Sequence, residues 1–144
     1  MLIGEYRHTL DAKKRISLPS KFRKELGKEI VVTHGLDNCL SVYPTKEWGK
    51  VAEKLRGLSM GQADTRGFNR FMLAGAADVE IDSLGRVLIP DFLKEFAHLK
   101  SKVVLIGVND HLEIWDEKGW DTYKKRIEKQ ADKLAQKLGE LGVI

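Results

Sequence analysis

Two periodicities alternate along the chain and predict a mixed α+β fold. Segments in which polar and apolar residues alternate are typical of half-buried strands, and apolar residues three to four apart are typical of amphipathic helices. Short helices are predicted after Pro19 and Pro90, where the missing N–H costs no hydrogen bond. Longer helices are predicted from near Thr45, over about 65–74 and over about 117–141. The predicted strands are 5–10, 15–18, 30–34, 39–43, 78–82, 86–89, 102–107 and 111–115.

The order of these elements repeats. The first copy carries Asp11-x-x-x-Arg15-x-x-x-Pro19, and 71 residues later the second copy carries Asp82-x-x-x-Arg86-x-x-x-Pro90. At an offset of 72, Val31-Val32 aligns with Val103-Val104, and Trp48 aligns with Trp120. A tandem duplication follows, and missing one would misassign the whole fold. We predict a first repeat at 5–56, a helical hinge at 57–76 and a second repeat at 77–144.

One such repeat is too small to bury both faces of its own sheet. Two repeats can do so if their strands interlock about a shared pseudo-twofold axis. The sequence therefore predicts a mainly β fold with helices, built as an interlaced β-barrel from two tandem repeats, with a long C-terminal helix attached. In this arrangement the two Asp–Arg turns occupy equivalent positions.

Composition narrows the class of protein. Of the 144 residues, 42% are hydrophobic and 32% are charged, which suits a folded domain rather than a disordered chain. No apolar run approaches the length of a membrane span, and the first residues lack the features of a secretory signal. Cys39 is the only cysteine, which excludes an intramolecular disulfide and a multi-cysteine zinc site. We expect a cytoplasmic protein with no membrane partner.

Positive charge is concentrated around the first copy of the motif. Residues 7–28 contain eight basic and two acidic residues, a local net charge of +6 in a chain whose net charge is +4. A field of this kind attracts polyanions, and a solvated basic face without a partner is the alternative. The eight basic residues are Arg7, Lys13, Lys14, Arg15, Lys21, Arg23, Lys24 and Lys28.

An Asp and an Arg four residues apart across a tight turn can form a charge-assisted pair. The pair can pin the turn, or it can hold the guanidinium in one pose for a phosphate or a guanine edge. Both roles stay open for Asp11 and Asp82. A ligand role is favoured for Arg15 because two lysines adjoin it. No cation adjoins Arg86 in sequence, so we expect the second repeat mainly to complete the fold and the assembly.

These motifs, the opening Gly4-Glu5-Tyr6-x-His8-Thr9-Leu10 and the hinge resemble the MraZ family over nearly the whole chain. The resemblance implies two AbrB-type (swapped-hairpin) domains and a transcriptional regulator that binds double-stranded DNA at the promoter of the division and cell-wall gene cluster. It also implies a ring-like homo-oligomer and a location on the nucleoid. The family commonly has Gly before the first Arg, where this chain has Lys14. If that turn needs a positive φ, Lys14 is strained.

For DNA binding we expect each residue type to play a distinct part. Arg15 is the candidate for base edges, with Arg7 a weaker candidate and Arg86 its counterpart in the second repeat. Several protomers in a ring would suit tandem promoter boxes, because each further contact becomes intramolecular. Asp11 and Asp82 are expected to shape the turns. Phosphate contacts are expected from Lys13, Lys14, Lys21, Arg23 and Lys24.

Other classes of function remain as alternatives. An enzyme is disfavoured, because the four histidines are scattered and no catalytic set or glycine-rich phosphate loop is present. An adaptor protein would leave the basic face unused. An AbrB-like antitoxin would bind DNA and a protein partner, usually through a disordered tail, whereas the C-terminus here is periodic. We expect no cofactor, no metal and no small-molecule substrate.

Overall fold

The computed structural model describes all 144 residues as eight strands and five helices, which confirms the mixed α+β class. The first repeat contributes β1 (Leu2–Thr9), β2 (Arg15–Ser17), α1 (Ser20–Leu26), β3 (Glu29–His34), β4 (Leu40–Pro44) and α2 (Thr45–Arg56). Helix α3 (Ala63–Ala74) connects it to the second repeat. The second repeat contributes β5 (Ala77–Glu80), β6 (Arg86–Leu88), α4 (Asp91–Phe96), β7 (Lys102–Asn109), β8 (Leu112–Asp116) and α5 (Glu117–Glu140).

Six of the strands form one antiparallel sheet in the order β1-β7-β8-β4-β3-β5. Exchanging each strand for its counterpart in the other repeat returns the same order reversed, so the sheet is pseudo-twofold symmetric. The first strand of each repeat pairs with the other repeat, β1 with β7 and β5 with β3. Gly107 permits the first of these pairings, because a side chain there would overlap the backbone of Ile3. The two repeats therefore share one hydrogen-bonded sheet.

The sheet is open, with β1 and β5 as its edges, so the predicted closed β-barrel is wrong. Its outer face is covered by helices rather than by its own strands. Trp48 of α2 packs on Tyr43, and the Thr33 hydroxyl donates a 2.8 Å hydrogen bond to the Met72 carbonyl of α3. Once helices bury that face, the sheet has no need to close on itself.

The sequence alignment of Val31-Val32 with Val103-Val104 is also wrong, by one residue. Val32 and Val103 face the main core, whereas Val31 and Val104 face the outer helices or their neighbours. Ile30 and Val32 are therefore equivalent to Val103 and Leu105. Because side chains alternate between the faces of a strand, a slip of one residue exchanges the buried sides.

Strands β2 and β6 form a separate two-stranded ribbon over the inner face of the sheet. Ile16 and Val87 lie directly opposite each other in it, and both are buried. Phe22 of α1 and Leu93 of α4 are fully buried beside them in the same core. With its alternate residues buried, the ribbon presents the flanking residues of both strands outward.

The closing helices of the two repeats end differently. Helix α2 ends at Arg56, and after the glycine-containing segment 57–62 the chain folds back as α3 onto β3. Helix α5 has no such break: Trp120 and Tyr123 pack on Trp115 of the sheet, and the helix then continues to Glu140. None of the five helices has the length and apolar character that crossing a bilayer requires.

Candidate nucleic-acid interface

The two Asp–Arg turns have the same hydrogen-bond geometry. In the first turn, Asp11 Oδ1 accepts the backbone N–H groups of Lys13 and Arg15, both at 2.9 Å, and Oδ2 accepts Arg15 Nε at 2.9 Å. In the second turn, Asp82 Oδ1 accepts the backbone N–H groups at 84 and 86, at 2.9 and 2.8 Å, and Oδ2 accepts Arg86 Nε at 2.7 Å. Each aspartate thus shapes its turn and holds its arginine.

These contacts leave part of each guanidinium free. Backbone hydrogen bonding from Arg15 and Arg86 lowers the pKa of the Asp11 and Asp82 carboxyls, so both stay ionised at neutral pH. Only Nε of each arginine is held, and the Nη atoms have no protein partner. Both arginine side chains are 28% exposed. Each turn therefore presents an oriented pair of N–H donors to an anion or a base edge.

Both turns need a left-handed residue just before the arginine. In the second turn this is Gly85, with φ 79°, and in the first it is Lys14, with φ 62°. A non-glycine residue in this region is strained by about 1–2 kcal/mol, because Cβ crowds the carbonyl. The strain expected for Lys14 from the sequence is therefore present. The aspartate hydrogen bonds are nevertheless the same in both turns.

The ribbon brings the two turns onto one surface. Arg15 lies opposite Leu88 and Arg86 lies opposite Ser17 in the β2–β6 pairing. The turns also bond across the ribbon: the Gly85 carbonyl accepts the N–H of residue 18 at 2.9 Å, and the Lys14 carbonyl accepts the N–H of residue 89 at 2.8 Å. Arg15 and Arg86 are therefore parts of one surface, which we call the paired-turn surface (residues 11–17 and 82–88).

Each turn receives cations from the other repeat. Arg23 of α1 lies across Gly85 of the second turn, so a side chain at Gly85 would overlap its guanidinium. Lys94 of α4 and Lys100 line a cleft of about 400 Å³ beside Asp11 and Lys14 of the first turn. The prediction that the second turn lacks positive charge is therefore wrong, because its cation comes from a helix distant in sequence.

Sequence reasoning missed Lys94 and Lys100. Lys94 occupies the position equivalent to Arg23, 71 residues later, so the duplication itself could have pointed to it. Nothing in the sequence marks Lys100. The structure also pairs the Lys14 ammonium with the Asp91 carboxylate of α4, a contact between repeats that compensates part of the charge at the first turn.

The other predicted cations divide into two groups. Lys13 is exposed at the tip of the first turn, and Lys21, Arg23 and Lys24 are exposed on α1. Helix α1 begins two residues after β2 leaves the ribbon, so the structure brings these residues near the paired-turn surface. Their ammonium and guanidinium groups have no carboxylate partner within the chain.

Arg7 does not belong to this surface. It lies on β1, where its guanidinium contacts Asp121 at 2.8 Å, Glu5 at 3.2 Å and Glu117 at 3.5 Å. The hydrogen bond from Asp121 contributes most to raising the pKa of Arg7, and Arg7 in turn lowers the pKa of Asp121. With three carboxylates around it, Arg7 fastens α5 to the edge of the sheet.

Two exposed leucines lie on the paired-turn surface. Leu84 is 68% exposed at the tip of the second turn, where the first turn has Lys13, and Leu88 is 55% exposed, where β2 has Ser17. Apolar side chains contact thymine methyl groups in the major groove. The surface therefore combines oriented arginines, free cations and small apolar groups.

Comparison with known proteins agrees with this geometry. The family model for MraZ, described as "MraZ protein, putative antitoxin-like", matches the chain twice, at residues 1–71 and 72–140. The chain belongs to the MraZ family. A protein named transcriptional regulator MraZ from Caldicellulosiruptor saccharolyticus is 48% identical over 143 residues, covering 99% of this chain and all of that protein.

Further MraZ relatives match over the same span. Proteins named transcriptional regulator MraZ from Caldicellulosiruptor bescii and Acetivibrio thermocellus are 49% and 46% identical, again covering 99% of this chain and all of the relative. The two matches of the MraZ family model fall on the two halves of the chain, each with one Asp–Arg turn. The internal repeat is therefore a property of the MraZ family.

Proposed function

We propose that this chain is a transcriptional regulator that binds double-stranded DNA sequence-specifically through the paired-turn surface. One observation carries the proposal: aspartates hold two arginines by Nε on one exposed ribbon, so that their Nη donors face outward. A guanidinium held in this way matches the O6 and N7 acceptors of guanine in the major groove. The regulator name of the relatives supports the same function.

Arg15 is the proposed base-reading residue, and Arg86 its partner in the second repeat. Phosphate contacts come from the exposed cations Lys13, Lys21, Arg23 and Lys24, with Lys14 contributing once it leaves Asp91. Phosphate contacts supply affinity and salt dependence, whereas base contacts supply specificity. The charge compensation at Arg7 assigns that residue to the fold rather than to the DNA.

One copy of the paired-turn surface is small for a specific DNA complex. We propose that the chain assembles into a ring-like homo-oligomer, in which several paired-turn surfaces contact tandem boxes in the promoter of the division and cell-wall gene cluster. Each added contact is then intramolecular, which raises the overall affinity. A cytoplasmic, nucleoid-associated location follows from this activity.

The alternative is an antitoxin-like or adaptor module that binds both DNA and a protein partner. The wording of the family description favours it. It differs from the main proposal in predicting that a second protein changes the DNA affinity. The chain bound to DNA without any partner, with full specificity, is the outcome that the regulator proposal requires.

Binding titrations at several salt concentrations test the proposal. The chain is titrated with duplexes carrying tandem boxes, one box or a shuffled sequence from the proposed promoter. We expect tandem boxes to bind most tightly and the shuffled duplex least. Lys21→Ala should weaken all three alike and reduce the salt slope by about one, whereas the control Lys129→Ala on α5 should change neither. Equal binding to all duplexes would overturn the proposal.

A further inference from the structure

The end of α5 forms a helical arm that no part of the chain covers. Every residue from 128 to 144 is exposed, and we call this segment the arm. Leu134, Leu138 and Leu141 lie on one side of it and are 36%, 39% and 75% exposed. This side continues the stripe by which Trp120 and Tyr123 pack on the sheet. The arm is thus an extension of a packing face beyond its own body.

The arm ends in a regular capping motif. Gly142 has φ 72°, its N–H donates to the Gly139 carbonyl at 3.0 Å, and the Val143 N–H donates to the Leu138 carbonyl at 2.9 Å. This pattern satisfies carbonyls at the end of a helix. A free helix of this length is only marginally stable in water, and its stability normally comes from packing of the apolar face. A defined helix with an uncovered apolar side therefore needs a partner.

A second uncovered apolar surface lies elsewhere on the molecule. His34 stacks on Phe71 with ring centroids 4.6 Å apart and contacts Phe96 at 4.3 Å. Around this cluster Phe68 of α3 and Phe92 of α4 are 40% and 47% exposed. We call these five residues the aromatic patch. An aromatic cluster with exposed members is the kind of surface that anchors a protein contact.

The arm and the aromatic patch have complementary charge. Beside the leucines, the arm carries Lys133 and Lys137 along one flank. The segment 75–99, which includes α4 and the edge strand β5 next to the patch, contains five acidic and two basic residues. Complementary charges at the rim of an apolar contact favour the correct partner and orientation.

The arm cannot reach the patch of its own chain. Helix α5 runs beside edge strand β1, from Arg7, which contacts Glu117, to Glu5, which contacts Lys124, and so leaves the body at the Leu2 end of β1. The patch surrounds His34, at the far end of β3 and next to the opposite edge strand. Because β1 and β3 run in the same direction, the two surfaces lie at opposite corners of the sheet.

We propose that the arm of one copy packs on the aromatic patch of the next copy. This inference rests on the homo-oligomer of the proposed function and names its interface. The contact joins two different surfaces, so it is head-to-tail, and a head-to-tail contact produces a closed ring when the rotation between copies closes. The paired-turn surface takes no part in it and stays available on every copy.

Engineered disulfides test which surfaces meet. The double variant Ala131→Cys, Glu95→Cys places one thiol beside the leucines of the arm and one beside the patch, and buried Cys39 does not compete. Under mild oxidation we expect a ladder of linked chains on a denaturing gel. The control Asp132→Cys, Glu95→Cys moves the arm thiol to the opposite side of the helix and should give no ladder.

Two outcomes of this experiment would overturn the inference. One is linkage of Ala131→Cys alone into dimers, which would show that arms pair with arms. The other is a double variant that stays a single chain under the same oxidation.

Substitutions on the arm test the assembly in solution. Leu134→Gln with Leu138→Gln removes the apolar side, and Lys125→Gln with Lys129→Gln changes the polar side of the same helix. By light scattering we expect the native chain and the lysine variant to be oligomers, and the leucine variant to have the 16.3 kDa mass of one chain. Circular dichroism checks that all three remain folded. A native chain that is itself monomeric, or a folded leucine variant of native mass, would overturn the inference.

The same samples separate this inference from the proposed function. Binding of a one-box duplex depends on the paired-turn surface and not on the arm. A leucine variant that binds one box normally but loses the advantage of tandem boxes supports both proposals. A native chain that assembles as expected but binds no duplex would overturn the proposed function alone.

Discussion

The two Asp–Arg turns have one geometry and two surface chemistries. Their aspartate hydrogen bonds match one for one, within 0.2 Å. The outward residues have diverged: the first turn presents lysines where the second presents a leucine and a glycine. The backbone of the turn and the charge that it presents are therefore independent of each other. The differing pairs are Lys13 and Leu84, Lys14 and Gly85, and Ser17 and Leu88.

The largest expected effect tests whether the two repeats are one folding unit. Phe22 and Leu93 are equivalent and both fully buried. Because β1 and β5 are exchanged between the repeats, Phe22→Ala should destabilise the whole chain by about 3–5 kcal/mol, and Leu93→Ala by about 2–5 kcal/mol. Urea unfolding followed by both tryptophan fluorescence and circular dichroism should show one shared transition. Two separate transitions would show that the repeats unfold independently.

The next effect concerns the left-handed residue of each turn. Gly85→Ala should lower the free energy of unfolding by about 1–2 kcal/mol, because it places Cβ in a disfavoured conformation and displaces Arg23. Lys14→Gly relieves the same strain and should stabilise the chain by less than about 1 kcal/mol. Thermal unfolding of both variants measures the difference. Equal effects of the same sign would contradict the shared geometry of the turns.

Exchanging the tip residues of the turns tests the division of charge. Leu84→Lys gives the second turn the lysine of the first, and it should strengthen binding to every duplex and increase the salt slope by about one. Lys13→Leu should do the opposite by a similar amount. Binding titrations from low to moderate salt measure both slopes. If Leu84→Lys leaves the slope unchanged, the second turn lies away from the DNA.

The smallest expected effect is on the pH dependence of stability. The pKa values of Asp11 and Asp82 are lowered in the folded chain, so each carboxylate stabilises the fold above its ordinary pKa of about 4. This stabilisation is lost as the pH falls through the folded pKa. Asp11→Asn and Asp82→Asn should each flatten the loss of stability below about pH 4. Unchanged acid unfolding curves would show that the carboxylates do not hold the turns.

Local chemistry allowed much of the site to be predicted from the sequence. The Asp–Arg spacing, the prolines and the duplication predicted two equivalent turns, and the departure at Lys14 predicted a strained residue. The positions of Lys94 and Arg23 beside the opposite turns, and the carboxylates around Arg7, depend on contacts between segments 70 or more residues apart. Such contacts follow from the exchange of strands, which local patterns do not encode.

The two wrong predictions about the fold have related causes. The closed barrel was expected because the repeats had to bury both faces of a sheet, but α2, α3 and α5 bury the outer face instead. The slip of one residue between β3 and β7 arose because two Val-Val pairs align by identity, whereas the alternation of buried sides sets the true register.

The most direct measurement compares Arg15→Ala with Arg86→Ala at one fixed salt concentration. For each variant, the ratio of affinity for the tandem-box duplex over the shuffled duplex is measured against that of the native chain. The account predicts that Arg15→Ala lowers this ratio by about 1–3 kcal/mol of discrimination, and that Arg86→Ala lowers it less. A chain that keeps its full preference without the Arg15 guanidinium would contradict the account.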